Sequence, residues 1–227
     1  MDNNKLFEEQ IIEETIKFVK ETLKDAESGH DWFHVQRVWR NSILISKGES
    51  ENGENVNLLV VQLAALLHDI ADHKFHNGDD TVGSKVAKAF LEKLNVDKET
   101  IAAVCNVILK ISFKGSSAKN EIDSLEGMIV QDSDRLDAVG AIGVARAFSY
   151  GGYRNRQMFD PDDLPKPNMT WEQYKSNTGC TVNHFYEKLL LLKDRMNTPS
   201  GKKIAQERHD YMAGFLEKFM SEWNGQS

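Results

Sequence analysis

An adjacent histidine and aspartate, His68 and Asp69, stand within the most apolar stretch of the sequence, NLLVVQLAALLHDIAD. An ionised carboxylate is costly to bury among leucines unless a cation or hydrogen-bond donors compensate its charge. Imidazole and carboxylate together suit divalent cations. The pair therefore indicates a metal site, although a His-Asp dipeptide taken alone more often has a structural role.

Further candidate ligands lie on both sides of this pair. His34 belongs to an apolar helical segment, WFHVQRV. Three acids, Asp132, Asp134 and Asp137, lie within a six-residue stretch that opens a second, mostly apolar helical segment. Successive helical residues turn by about 100°, so Asp132 and Asp134 point roughly 160° apart and one ion cannot easily take both. Salt bridges to Arg135 or other cations are the alternative explanation for these acids.

Asp134 is the favoured ligand among the three acids. It shares its helical face with small residues that would let another helix approach closely: Ala138, Ala141 and Ala145. Asp132 is then a supporting acid or a helix cap, and Asp137 a salt-bridge partner.

The elements that must hold these side chains are all predicted to be helices. Apolar residues recur with helical spacing, and no alternation typical of strands persists. Asp31 is a candidate cap for the helix that carries His34. The predicted helices cover approximately 5–24, 31–46, 57–72, 81–94, 97–111, 125–150, 171–196 and 200–223.

Two irregular segments separate some of these helices. The run GESENGEN, residues 48–55, is predicted to be a loop. Residues 151–169 contain three of the four prolines, and Gly151-Gly152 at their start is a candidate hinge. Segments of this length often act as lids, but an exposed connection is equally consistent. We expect a single compact all-α domain, with C-terminal helices over 170–224 packed on the core.

Charge and composition exclude some classes of function. The 227 residues carry a formal net charge of −7, which argues against a nucleic acid polymer as partner but not against a small phosphorylated substrate. The two cysteines do not suggest a disulfide scaffold, and Cys105, in an apolar helical pattern, is expected to be a buried thiol. No signal peptide or membrane-spanning stretch is evident, so we expect a cytoplasmic protein.

The order His34, His68-Asp69, Asp134 resembles the H…HD…D signature of the HD superfamily. The segments GHDWFHVQRVW, LAALLHDIAD and QDSDRLDAVGAIGVARAFSYGG are similar to those of small stand-alone bacterial HD phosphohydrolases of the YedJ and YpgQ type. HFYEKLLLLKDRMNT and AQERHDYMAGFLEKF extend the likeness over nearly the whole chain.

This resemblance implies an all-α fold with an HD core over about 26–150 and one divalent cation held by His34, His68, Asp69 and Asp134. It also implies hydrolysis of a phosphate ester or anhydride, with a metal-bound water as the attacking group. By the same resemblance, the expected substrate is a nucleotide, and one reaction that it suggests is that of a nucleoside triphosphate pyrophosphohydrolase, giving monophosphate and pyrophosphate. An acid at the position of Asp72 is the general acid or base in related HD nucleotidases.

Phosphate groups require cations, and we favour three side chains for this role: Arg37, Lys74 and Lys114. His30 precedes His34 by four residues, and we expect it to position the helix start or orient the site, or to serve as an alternative ligand. His73 and His76 crowd close to Asp69, which favours one metal over two.

Two other functions remain open. The chain could be a non-catalytic nucleotide-binding HD module, or, less in keeping with its histidine spacing, a di-metal oxygenase. The metal is equally open among manganese, magnesium, cobalt, nickel, iron and zinc. The sequence does not decide the oligomeric state, a homodimer included.

Overall fold

The computed structural model describes residues 3–26, 29–70, 81–111, 122–166, 169–170, 173 and 176–226. All the regular structure in these residues is helical. These residues contain no strand, which confirms the all-α prediction. The α-helices of this part of the chain are α1 (Asn3–Thr22), α2 (Trp32–Glu51), α3 (Leu58–Leu67), α4 (Val82–Lys93), α5 (Lys98–Ile111), α6 (Leu125–Asp137), α7 (Gly140–Tyr153), α8 (Thr181–Glu187) and α9 (Pro199–Trp223). A 3₁₀ helix covers Leu189–Arg195.

The described residues divide into two compact units, one ending at Ser133 and one beginning at Asp134. In the first unit, α3 is the central helix and packs against α1, α2 and α5, while α4 packs on α5. A helix that is apolar on every side is expected at such a central position. The fully buried side chains of α3 include Val61, Leu63, Ala64, Leu66 and Leu67.

Helix α2 begins where the sequence predicts and ends later. The side chain of Asp31 accepts a hydrogen bond from His34 N at 2.9 Å, which makes it the N-cap of α2. The helix continues to Glu51, so the first half of GESENGEN is helical and the predicted loop is wrong there. Glu49 is 2% exposed, and its burial in the fold accounts for the extra turn.

The predicted helix over 125–150 is interrupted, because α6 ends at Asp137 and α7 starts at Gly140. Gly140 has a φ of +77°, a backbone conformation that favours glycine. A Cβ there would also lie 3.0 Å from Arg208 Cγ. Ala141 and Ala145 therefore belong to α7, and the shared helical face assigned to them and Asp134 does not exist.

The second unit is built around aromatic side chains of α7, α8 and α9. Helix α9 packs on α7 and on the 3₁₀ helix, and α8 packs on both α7 and the 3₁₀ helix. The rings in contact at its centre are those of Phe148, Phe185, Phe215 and Phe219. The predicted helix over 171–196 is not continuous, because residues 177–180 are non-helical and precede α8.

Gly151 and Gly152 lie in the last turn of α7, so the helix covers the candidate hinge. A Cβ on Gly151 would overlap Thr181 Oγ1, whereas nothing lies within 4 Å of the same position on Gly152. The close approach of α7 to α8 thus explains the first glycine.

The segment after α7 is tied to the start of α8 by hydrogen bonds. Thr181 N and Val182 N each donate at 2.9 Å, to the carbonyl oxygens of Gln157 and Met158. Cys180 N donates to the carboxylate of Asp163, also at 2.9 Å. Over the described residues, no helix is both long and apolar enough to cross a membrane.

Candidate metal centre

Asp69 stands in the turn that follows α3. The helix ends at Leu67, and residues 68–70 form a turn closed by a bond of 3.3 Å from Ile70 N to Leu67 O. The prediction that His68 and Asp69 lie inside the helix is therefore wrong, and residues 71 and 72 of the predicted helix lie outside the described residues. The tighter i→i+3 bond is a common way for a helix to end.

Three imidazoles surround one oxygen of this carboxylate. His30 Nδ1 lies 2.7 Å from Asp69 Oδ2, His34 Nε2 lies 3.4 Å from it, and His68 Nε2 lies 3.5 Å from it. The side chains of His34 and His68 are 3% and 2% exposed, and that of Asp69 is 20% exposed. Four chemically active side chains of the first unit thus converge on one point.

A backbone carbonyl fixes the orientation of His68. Its Nδ1 lies 2.9 Å from Ala65 O, an acceptor, so the neutral ring carries its proton on Nδ1 and donates it there. The lone pair of Nε2 is then directed towards Asp69. Metal-binding histidines are commonly oriented in this way, with the other ring nitrogen donating to a carbonyl or carboxylate.

The position of His34 depends on the start of α2. The carboxylate of Asp31 accepts from the backbone N–H of His34 itself, and this fixes the turn from which the imidazole projects. Further along α2, Trp39 Nε1 donates to Gln62 Oε1 at 3.1 Å and holds the helix against α3. His34, on α2, and His68, in the turn directly after α3, are therefore held by two helices that a direct hydrogen bond connects.

The electrostatic balance at Asp69 favours its charged form. Burial raises the pKa of this carboxyl, but the adjacent His68, the hydrogen bond from His30 and the nearby imidazole of His34 outweigh burial and hold the pKa well below its usual value. His30, His34 and Asp69 offer ligand atoms that all lie within 4.8 Å of one another. An ionised carboxylate with imidazole donors fits a divalent cation.

The acids of α6 have different surroundings. Asp132 is fully buried in the second half of the helix, so it is not the helix cap that the sequence allowed. Asn41 on α2 donates to the carbonyl of the next residue, Ser133, at 3.4 Å. Asp134 follows directly on the same helix. Asp137, 2% exposed, pairs with Arg146, in agreement with the expected salt bridge.

Several predicted site residues cannot be placed. Asp72, Lys74 and Lys114 lie outside the described residues, as do His73 and His76. Arg37 is half-buried on α2, one turn after His34. The direct contact between His30 and Asp69 goes beyond what the sequence indicated, and its only signal was the four-residue spacing between His30 and His34.

Known proteins resemble this chain in sequence and in fold. The family model of the HD domain matches residues 32–139. The uncharacterised protein YpgQ of Bacillus subtilis is 37% identical over 205 residues, 88% of either chain. An HD-superfamily hydrolase from Bacillus thuringiensis has a TM-score of 0.77 at 42% identity, covering 96% of this chain and 100% of that one. YpgQ in complex with ADP has a TM-score of 0.72 at 31% identity, covering 95% and 96%.

Proposed function

This chain belongs to the HD-domain family, together with YpgQ, and on that basis we propose that it is a metal-dependent phosphohydrolase acting on nucleotides. One observation carries the proposal: three imidazoles are directed at a single, ionised carboxylate oxygen of Asp69. The fold shared with HD-superfamily hydrolases supports the reaction class.

The proposed metal ligands are His34, His68, Asp69 and Asp134. His30 holds the carboxylate of Asp69 from the solvent side. Asp132, which is fully buried on the same helix as Asp134, is the proposed supporting acid. Neighbouring side chains that hold metal ligands in place preserve the geometry of the ligand set and raise its affinity for the metal.

When bound, a divalent cation supplies Lewis acidity, which acidifies water and offsets charge on phosphoryl oxygens. Asp72 is the proposed proton carrier, and Asp69 contributes the negative charge of the centre. Arg37, Lys74 and Lys114 are the proposed cations for the phosphate chain of the substrate. Arg37 is well suited because residues three apart on a helix are neighbours, which places it beside His34.

A nucleotide is the proposed substrate class. YpgQ has been crystallised with ADP, and this relative covers nearly the whole chain. The net charge of −7 favours a mononucleotide over a nucleic acid polymer. Cleavage of a nucleoside triphosphate to monophosphate and pyrophosphate is the specific reaction to test.

Metal removal and replacement test the proposal. Protein stripped by a chelator should release neither phosphate nor pyrophosphate from nucleoside triphosphates, and Mn²⁺, Mg²⁺, Co²⁺ or Ni²⁺ should restore release. Asp69→Asn should abolish metal retention and turnover together. Asp97→Asn is a matched control, because Asp97 caps α5 through Thr100 N at 2.8 Å, and it should retain both properties.

Other outcomes would assign a different function. Full turnover after exhaustive metal removal would refute the proposal. Nucleotide binding without product under every metal would identify a non-catalytic binding module instead. Two irons per chain, together with oxygen uptake, would identify a di-metal oxygenase.

A further inference from the structure

Phe33 is the most exposed aromatic side chain among the described residues of the first unit. It is 63% exposed, although its chain neighbour His34 is one of the most buried polar residues. Trp32, on its other side, has a partner, because the ammonium of Lys20 lies 4.8 Å from its ring centroid. No ring among the described residues stacks on Phe33, so its face is available to a ligand.

The order of side chains around α2 places Phe33 at the rim of the metal centre. Residues three and four apart are neighbours on a helix surface, so Arg37 adjoins both His34 and Phe33. Outward from the buried edge of α2, the side chains follow in the order His34, Arg37, Phe33, and their exposure rises from buried through intermediate to exposed. A metal ligand, a guanidinium and an aromatic face thus succeed one another over one helical turn.

This order matches the parts of a nucleotide. The geometry points to Phe33 as the residue that stacks on the nucleobase while the phosphate chain lies along Arg37 towards His34 and Asp69. The inference rests on the proposed function and adds the group that distinguishes a nucleotide from other phosphate compounds. Every nucleobase has a π-face, so stacking on Phe33 should accept several bases.

An exposed phenylalanine alone is no evidence for a site, because isolated apolar side chains are common on protein surfaces. Leu44 provides the comparison within the same helix. It is 52% exposed and lies on nearly the same face, eleven residues or about 16 Å further along α2. Leu44 has a similar surface character without the adjacent centre, which makes it a matched control.

The test compares substrates with and without a base. Phe33→Ala should raise KM for ATP about tenfold, a size that base–aromatic stacking supports, and leave kcat near its wild-type value. The same variant should leave KM for inorganic tripolyphosphate unchanged. Phe33→Tyr should retain the wild-type KM for ATP, and Leu44→Ala should leave the KM for both substrates unchanged.

Calorimetry gives a readout that does not depend on turnover. The Kd for ADP should rise about tenfold in Phe33→Ala, in line with loss of stacking, while the Kd for pyrophosphate stays constant. A wild-type chain that binds ADP but releases no product contradicts the hydrolase proposal and still allows this comparison. The stacking role would be overturned if Phe33→Ala bound ADP and pyrophosphate with equally weakened affinity, or if it bound both as tightly as the wild type. It would also be overturned if Phe33→Tyr lost affinity for ADP, or if the wild type did not bind ADP.

Discussion

Two histidines of this chain have contrasting neighbours. His68 faces the carboxylate of Asp69 on one side and the carbonyl of Ala65 on the other. His184, on α8, lies instead near two cations, Lys188 and Arg156. Burial, and to a smaller extent these two cations, lower the pKa of His184 to about 3. The imidazole of His184 is therefore neutral in the folded protein at any pH near neutrality.

The lowered pKa of His184 predicts that acid destabilises the fold. Below the ordinary pKa of 6.5, His184 is protonated in the unfolded state, whereas in the folded state it stays neutral until the pH approaches about 3. The free energy of unfolding should fall by about 2 kcal/mol from this residue between pH 7 and pH 5. Urea unfolding at the two pH values measures the fall, and His184→Gln should remove that part of it. An equal fall in the variant and the wild type would contradict the assignment.

At the scale of the element, the caps of α2 and α5 allow stability and function to be separated. Asp31 bonds the backbone N–H of His34, and Asp97 bonds that of Thr100 in the same way. Asp31→Ala and Asp97→Ala should each cost about 1 kcal/mol of unfolding free energy. Only Asp31→Ala should also weaken metal affinity, by about tenfold, because only that cap orients a proposed ligand, His34.

Urea unfolding and a Mn²⁺ titration against a chromogenic chelator measure the two effects. Loss of metal affinity in both cap variants would mean that global stability, and not the position of His34, controls the site. Unchanged affinity in Asp31→Ala would show that His34 keeps its place without the cap.

Short-range signals in the sequence locate some helix boundaries and not others. The cap at Asp31 predicts the start of α2, because a cap is an interaction across three residues. The end of α2 is mispredicted, since the burial of Glu49 depends on the rest of the fold. Gly140 interrupts the predicted helix over 125–150 because its φ is positive. A glycine permits a positive φ, but its presence in the sequence does not indicate that the backbone adopts one.

The same limits apply to the candidate site. The residue pattern and its family resemblance bring His34, His68 and Asp69 into one predicted centre. The structure places the imidazoles of His34 and His68 beside one carboxylate oxygen of Asp69. The helical-face argument for Asp134 extends across Gly140 and is not valid there, so its role as a ligand stays a prediction. The contact of His30 with Asp69 joins residues 39 positions apart, which local periodicity cannot foresee.

At the scale of the whole molecule, a metal that binds only the folded state must stabilise the protein. At a free concentration of one hundred times Kd, the gain is about 2.7 kcal/mol. For a chain of this size, that corresponds to a rise in Tm of about 5–10 °C. Differential scanning fluorimetry with and without Mn²⁺ should show the rise in the wild type and in Asp97→Asn.

Asp69→Asn should lose this rise in Tm, because it removes the carboxylate on which the imidazoles converge. A rise of the same size in Asp69→Asn would place the stabilising ion elsewhere in the molecule. No rise in the wild type at saturating Mn²⁺ would contradict a metal centre in the folded chain.

The three rings around Asp69 differ in their contact with bulk water. The side chain of His30 is 34% exposed, while those of His34 and His68 are 3% and 2% exposed. An electrophile such as diethyl pyrocarbonate therefore meets His30 first, and the inner rings react only after local opening. Because His30 is the most exposed of the three rings, we expect His30→Ala to change how fast a divalent cation is bound and released at the proposed centre, which stopped-flow mixing with Mn²⁺ would measure.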